Sequence, residues 1–323
     1  MSHTHVDPEP DTTPSGVSRR TLLAGMAVGF GALMCGSLIK PQVARASSSI
    51  VKLPGFSAFA SSVKVMKSGN YYLVESTGLP PHNMMTGITN WQQQVPVPQP
   101  YTGANAWKIP INPKPAANPI SASDNFFRGA IALAVDGIPI FNAKNNRGEV
   151  SAEIGELDKW GGHCGLADDY HYHAAPLHLS RTVGATNPIA YALDGYPLYG
   201  AVEPDGAPMA KLDSFNGHTY KGKYHYHGTT SYPYINGGMH GEVTIRDGQA
   251  DPQPAAHPFR SDGKPLPGAK ITDFARTGDS KFALSYTLNG GTYHIDYEAT
   301  LQSVQMTFTD AAGKQSSETY ARR

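Results

Sequence analysis

The sequence predicts a mainly β protein: an internally duplicated, pseudo-two-fold β unit with a small C-terminal β extension. Three observations predict it. The 323 residues include Gly 34, Pro 26 and Tyr 17 but only 16% charged residues, a mixture that favours turns and extended segments over long helices. Short stretches alternate apolar and polar residues between turn signals. A segment of the chain then recurs in the same order of landmarks.

Residues 1–46 read as an export address. Ser18-Arg19-Arg20 stands before an uncharged run from Thr21 to Ile39, and Ala44-Arg45-Ala46 is a small-x-small cleavage site. Ser-Arg-Arg-x-Leu-Leu resembles the twin-arginine signal, which exports folded proteins and suits one that takes up a cofactor before export. Periplasmic or secreted location follows as an expectation, with no membrane attachment after cleavage. Cys35 lies in the removed segment, so Cys164 is the one cysteine of the mature chain and no intramolecular disulfide can form. Lys+Arg and Asp+Glu are balanced at 26 each, which leaves no net field to attract nucleic acid or an anionic membrane.

Residues 47–120 form an N-terminal β segment and a Pro-rich strap. Two short strands joined at Ser68-Gly69-Asn70 are expected between Val63 and Leu79, and the prolines of residues 95–120 predict an extended surface path without regular pairing. Residues 121–248 are the duplicated core. Residues 249–268 form a Pro-rich linker, and 269–323 a C-terminal β-hairpin unit that looks independent, in which His294 is expected on a strand surface.

Within the core, Ala132-Leu-Ala-Val-Asp136-Gly137-Ile-Pro139-Ile-Phe141 is matched by Ala190-Tyr-Ala-Leu-Asp194-Gly195-Tyr-Pro197-Leu-Tyr199. Each half continues with a Gly-His pair, Gly162-His163 or Gly217-His218, and then Tyr170-His171-Tyr172-His173 or Tyr224-His225-Tyr226-His227. Asp136-Gly137 and Asp194-Gly195 sit where a two-residue hairpin turn is expected. In a strand, alternate residues share a face, so His171 and His173 point one way, as do His225 and His227. Each pair is half of an imidazole shell; His163 and His218, or the other pair, could complete it, a ligand type suited to copper or zinc rather than calcium or magnesium. A two-fold interface that gathers both motifs into one site is the expected arrangement. Tyrosines behind the histidines are expected to pack as a layer and to offer hydroxyls to imidazole N–H groups.

The opposing reading is that His and Tyr simply build a hydrogen-bonded sheet core. Cys164 lacks a counterpart in the second half, where Thr219 follows His218, and Asp168 and Asp169 read as solvated loop carboxylates. His82, His178 and His240 are further candidate ligands without a fixed role. The motifs in their order, with Tyr232-Pro-Tyr following, make the segment from about Ser76 to Val243 resemble the YHYH protein family. That resemblance implies exported bacterial proteins with no established reaction. The resemblance also implies cysteines near the first Gly-His and after Tyr-Pro-Tyr, neighbourhoods where this chain has Trp160 and Gly238, so a disulfide typical of relatives is not expected here.

The leading expectation is an extracytoplasmic transition-metal-binding protein, with enzymatic activity left open because a sequence does not reveal a vacant coordination position. Two other classes compete with it: a metal-free module binding glycan or cell envelope through Tyr and Trp faces, and a hydrolase using Cys164 with a histidine.

Overall fold

Alternating and apolar segments become strands throughout the computed structural model, which describes residues 49–323. The export signal and Cys35 lie outside the described residues. A first antiparallel sheet contains β1 (Ser49–Ile50), β2 (Lys64–Ser68), β3 (Tyr71–Glu75) and β4 (Trp107–Pro110), in that order. β2 and β3 are the expected hairpin, with Gly69 and Asn70 at its tip. The Pro-rich strap departs from expectation in two ways. It supplies β4 and also β5 (Pro115–Ser121), because prolines are tolerated at the sheet edge that β4 occupies and in a two-stranded ribbon. It is also covered rather than superficial, with Val95, Val97 and Gln99 fully buried.

The central sheet has eight strands: β6 (Ala130–Ala134), β7 (Pro139–Phe141), β8 (Gly162–Cys164), β9 (Tyr170–Tyr172), β10 (Ala190–Ala192), β11 (Pro197–Tyr199), β12 (Gly217–Tyr220) and β13 (Lys223–His227). Their order across the sheet is β12-β13-β11-β10-β6-β7-β9-β8. Read from either end it gives the same succession: a Gly-His strand, a Tyr-His-Tyr-His strand, then the two arms of an Asp-Gly hairpin. β6 and β10 meet antiparallel at the middle, Ala190 opposite Ala134 and Ala192 opposite Ala132. Their residues are buried on both faces, and the alanines let neighbouring layers approach closely.

At the β6–β7 corner Gly137 has φ +86°, and a Cβ there would lie 2.6 Å from that of Ser76, the residue that follows β3 of the first sheet. Ser76 donates its hydroxyl to the Gly137 carbonyl at 2.7 Å, which fixes the corner against that sheet. Gly195 repeats the turn at β10–β11.

β14 (Gly238–Gly241) pairs with β5, and β15 (Thr244–Arg246) with β16 (Gln249–Asp251). The C-terminal part is larger than a hairpin: β17 (Lys270–Arg276), β18 (Lys281–Leu288), β19 (Gly291–Ala299), β20 (Ser303–Thr309) and β21 (Gln315–Ala321) form a five-stranded meander. It does not stand apart from the rest, since Tyr297 donates its hydroxyl to the Pro96 carbonyl at 2.7 Å and the Arg322 guanidinium donates to the Pro98 carbonyl. His294 is on the surface of β19, bonded to Ser285. Among the described residues, no helix is long and apolar enough to cross a membrane.

Candidate metal centres

Strand register assembles the histidines. β8 and β9 run antiparallel with His163 directly opposite His171, and β12 and β13 repeat the pairing with His218 opposite His225. Each Gly-His glycine is required by space: a Cβ on Gly162 would lie 2.5 Å from the Tyr170 ring, and one on Gly217 within 2.6 Å of the Tyr224 ring. A third imidazole, His173 or His227, comes from two residues further along on the same face. All six histidines expected as ligands therefore meet others, but in two separate groups.

The shared centre is thereby corrected. Five strand-to-strand steps of about 4.8 Å separate β9 from β13, on the order of 24 Å along the sheet. The two halves join through their innermost strands, which sends the motif strands outward to opposite ends.

The first group is His163, His171 and His173, their ligand atoms within 4.8 Å of one another. His171 Nδ1 donates to the Asp169 carbonyl at 3.0 Å, and His173 Nδ1 to the Asn142 carbonyl. A carbonyl only accepts, so each ring's single neutral-state proton is on Nδ1. The two Nε2 atoms are left as lone pairs, and they face each other at 3.1 Å. Burial holds His173 down at about 3 and His163 well below the ordinary imidazole value, with the charges of neighbouring histidines adding to both shifts. Protonation of His173 at neutral pH therefore does not relieve the clash. Phe141 stacks on His171 at 4.0 Å, and a cavity of about 350 Å³ lined by Arg128, Phe141 and Leu166 reaches all three histidines.

The second group adds a carboxylate: Glu203, His218, His225 and His227. Glu203 is fully buried and lies 3.0 Å from His225 Nε2, 3.2 Å from His218 Nε2 and 3.7 Å from His227 Nε2. His227 Nδ1 donates to the Gly200 carbonyl at 2.7 Å and His218 Nδ1 to the Lys211 carbonyl at 3.3 Å, so their Nε2 lone pairs point at carboxylate oxygens. Burial lowers both His225 and His227. Burial works to raise Glu203, yet the Ala210 N–H and the charges of the three histidines hold its carboxyl below the ordinary value.

Glu203 was missed by sequence reasoning although a signal existed. It stands 58 residues after Asn145, the offset that separates Asp136 from Asp194. Both residues begin equivalent turns, with Gly148 N–H donating to the Asn145 carbonyl and Gly206 N–H to the Glu203 carbonyl. These matching positions place an amide beside one histidine group and a carboxylate inside the other.

The tyrosines face away from the imidazoles, and their hydroxyls go to carboxylates rather than to imidazole N–H groups. Tyr170 donates to Asp158 and Tyr172 to Asp136, each at 2.9 Å; Tyr224 donates to Asp213 at 2.9 Å and Tyr226 to Asp194. The Asp-Gly aspartates accordingly do more than form turns: both are buried anchors for the second tyrosine of a motif. Burial raises Asp136 to about 7, against the lowering effect of Tyr172.

Asp168 and Asp169 are not solvated. Both are buried; Asp168 accepts two bonds from Arg260 at 2.8 Å and one from Val95 N–H, while Asp169 accepts from Ala167 N–H. The Pro-rich linker therefore pins the loop that precedes the first motif. Cys164 is buried and unpaired, and burial pushes its thiol well above the ordinary value, the opposite of what a nucleophile needs. His240 stacks on Tyr224 at 3.6 Å, whereas His82 and His178 pack around Trp160.

No curated protein and no solved structure matches the chain. A family model described as YHYH protein matches residues 106–209, a span that holds the first Tyr-His-Tyr-His motif and the second Asp-Gly turn and stops before the second motif. The likeness to the YHYH protein family is thus one of residues 106–209, about a third of the chain.

Proposed function

We propose that this is an extracytoplasmic transition-metal-binding protein with two distinct centres, one formed by His163, His171 and His173 and the other by Glu203, His218, His225 and His227, each taking copper or zinc. The observation that carries this reading is the orientation of the imidazole protons. In each group, backbone carbonyls hold Nδ1–H of two of the three imidazoles, the usual way a protein aims Nε2 at a metal. Lone pairs facing one another at about hydrogen-bond distance are repulsive unless a cation lies between them.

The centres differ in character. Three neutral imidazoles leave a divalent ion its full charge and a fourth position, which suits binding of water or a small ligand from the adjoining cavity. Glu203 supplies a fourth ligand and one negative charge, which suits a closed centre that stores or stabilises.

Elemental analysis of protein exported by its own signal tests the reading. At least two equivalents of copper or zinc per chain are expected, and His171→Ala with His173→Ala should remove one. Less than a tenth of an equivalent in the wild type would overturn it.

A further inference from the structure

The opposite face of the first motif carries a cluster that the two histidine centres do not use. His82 follows Pro80-Pro81, Asp136 is at the β6–β7 turn, and His178 lies on a short turn after β9. One ligand atom from each lies within 4.8 Å of the others.

Every one of the three has an unmet requirement. His82 Nδ1 faces the Asn83 carbonyl at 2.7 Å and so carries the ring proton, leaving the Nε2 lone pair 2.9 Å from the Tyr172 hydroxyl oxygen. That hydroxyl has one proton, and it is directed to Asp136 at 2.9 Å. His178 Nε2 is buried with no hydrogen-bond partner. Asp136 is buried, and besides Tyr172 its carboxylate receives only a long contact of 3.4 Å from Ile138 N–H.

The second half shows how such an aspartate is satisfied without a ligand. Asp194 receives the Tyr226 hydroxyl, Gly241 N–H at 2.9 Å and Tyr196 N–H at 3.2 Å, and its neighbour His240 is turned flat against Tyr224. Where Asp194 has backbone donors, Asp136 has two imidazoles nearby, one with its Nε2 lone pair toward Tyr172 and the other with a buried, unpartnered Nε2.

We propose that His82, Asp136 and His178 form a third metal centre, a two-histidine, one-carboxylate site for a divalent transition cation that accepts mixed nitrogen and oxygen ligands, such as zinc, iron(II) or manganese. The Tyr172 hydroxyl orients the Asp136 carboxylate from behind. Bonds of about 2.1 Å need ligand atoms no more than ~4.2 Å apart, and small rotations of the half-buried His82 and His178 rings close the difference. Trp160, with ring centroids 4.6 Å from His82 and 4.7 Å from His178, is a built-in reporter.

The experiment is titration of the metal-stripped exported protein with Co²⁺ alone, following stoichiometry by equilibrium dialysis and Trp160 emission against a Trp160→Phe control. His178→Ala is expected to bind one equivalent fewer than wild type and to lose the Co²⁺ quenching assigned to Trp160. His171→Ala with His227→Ala is expected to lose the equivalents of the two histidine centres but to keep this third one and its Trp160 quenching. Asp136→Asn should reproduce the His178→Ala result, and His178→Gln serves if the alanine variant does not fold. Wild-type stoichiometry and quenching in the His178 and Asp136 variants would overturn the third centre and leave the other two untouched. A wild type that binds one equivalent, lost with His178→Ala and unaffected by His171→Ala, would support it while removing them.

Discussion

The Tyr172 hydroxyl donates to the Asp136 carboxylate at 2.9 Å and so ties a histidine-bearing strand to the turn of the hairpin beside it. Tyr226 and Asp194 form the same link in the other half. Imidazole aim at each centre thus depends on a bond made behind the strand. Tyr172→Phe should cost about 1–3 kcal/mol in chemical denaturation, because a buried acceptor loses its main donor. Conservative loss of only a few tenths would mean the bond is not holding the strand.

Metal-stripped protein should show a pH dependence set by Asp136. Its folded-state value, about 7, is raised above the ordinary 3.8 by burial. A raised group contributes stability that is complete below the unfolded value and disappears as pH rises through the folded one. Stability from this residue should therefore fall between about pH 4 and 7, by on the order of 4 kcal/mol at most. Asp136→Asn should flatten that interval when unfolding is measured across it; an unchanged slope would assign the titration to other groups.

Glu203→Gln should separate the two proposed histidine centres. The amide keeps the shape and removes the charge, so affinity at the second centre should drop at least tenfold while the first is unaffected. Competitive chelator titration with zinc would display this as one weakened equivalent. Equal weakening of both would contradict their independence.

Arg260→Ala should destabilise the fold by about 3 kcal/mol, since it leaves the buried Asp168 carboxylate without its guanidinium. Thermal unfolding measures the loss, and Arg260→Lys should recover only part of it because a single ammonium cannot replace two parallel bonds. A neutral effect would imply that the loop has other support.

Cys164 should resist iodoacetamide in the native protein and react on unfolding, as expected of a buried thiol held in its neutral form. Mass spectrometry after alkylation with and without denaturant decides it. Rapid native labelling would restore a thiol-based reaction to consideration.

Much of the sheet was readable because strand geometry is local: alternation placed His171 with His173 and His225 with His227 on shared faces, and the Gly-His pairs gave the facing strand. Strand order was not readable. Whether the two motif-bearing segments meet through their motif strands or their Asp-Gly hairpins is a long-range choice; in the structure they meet through β6 and β10, whose residues are all buried. Asp168 looked solvated because its partner, Arg260, is 92 residues away within a segment read as linker. The tyrosine anchors Asp158 and Asp213 share the 55-residue offset of His163 and His218, a regularity available in the sequence but hidden among ordinary loop acids.

The antiparallel seam between β6 and β10 has a further consequence for any shortened form of the chain. Cut there, either half would present a bare backbone edge flanked by alanines, with donors and acceptors spaced to accept its own kind. Two identical fragments could then rebuild the eight-stranded array across the seam as a homodimer, with the same centre at both ends. In the intact chain one polypeptide spans both sides, and its two ends differ, with Glu203 at one and Asn145 at the other.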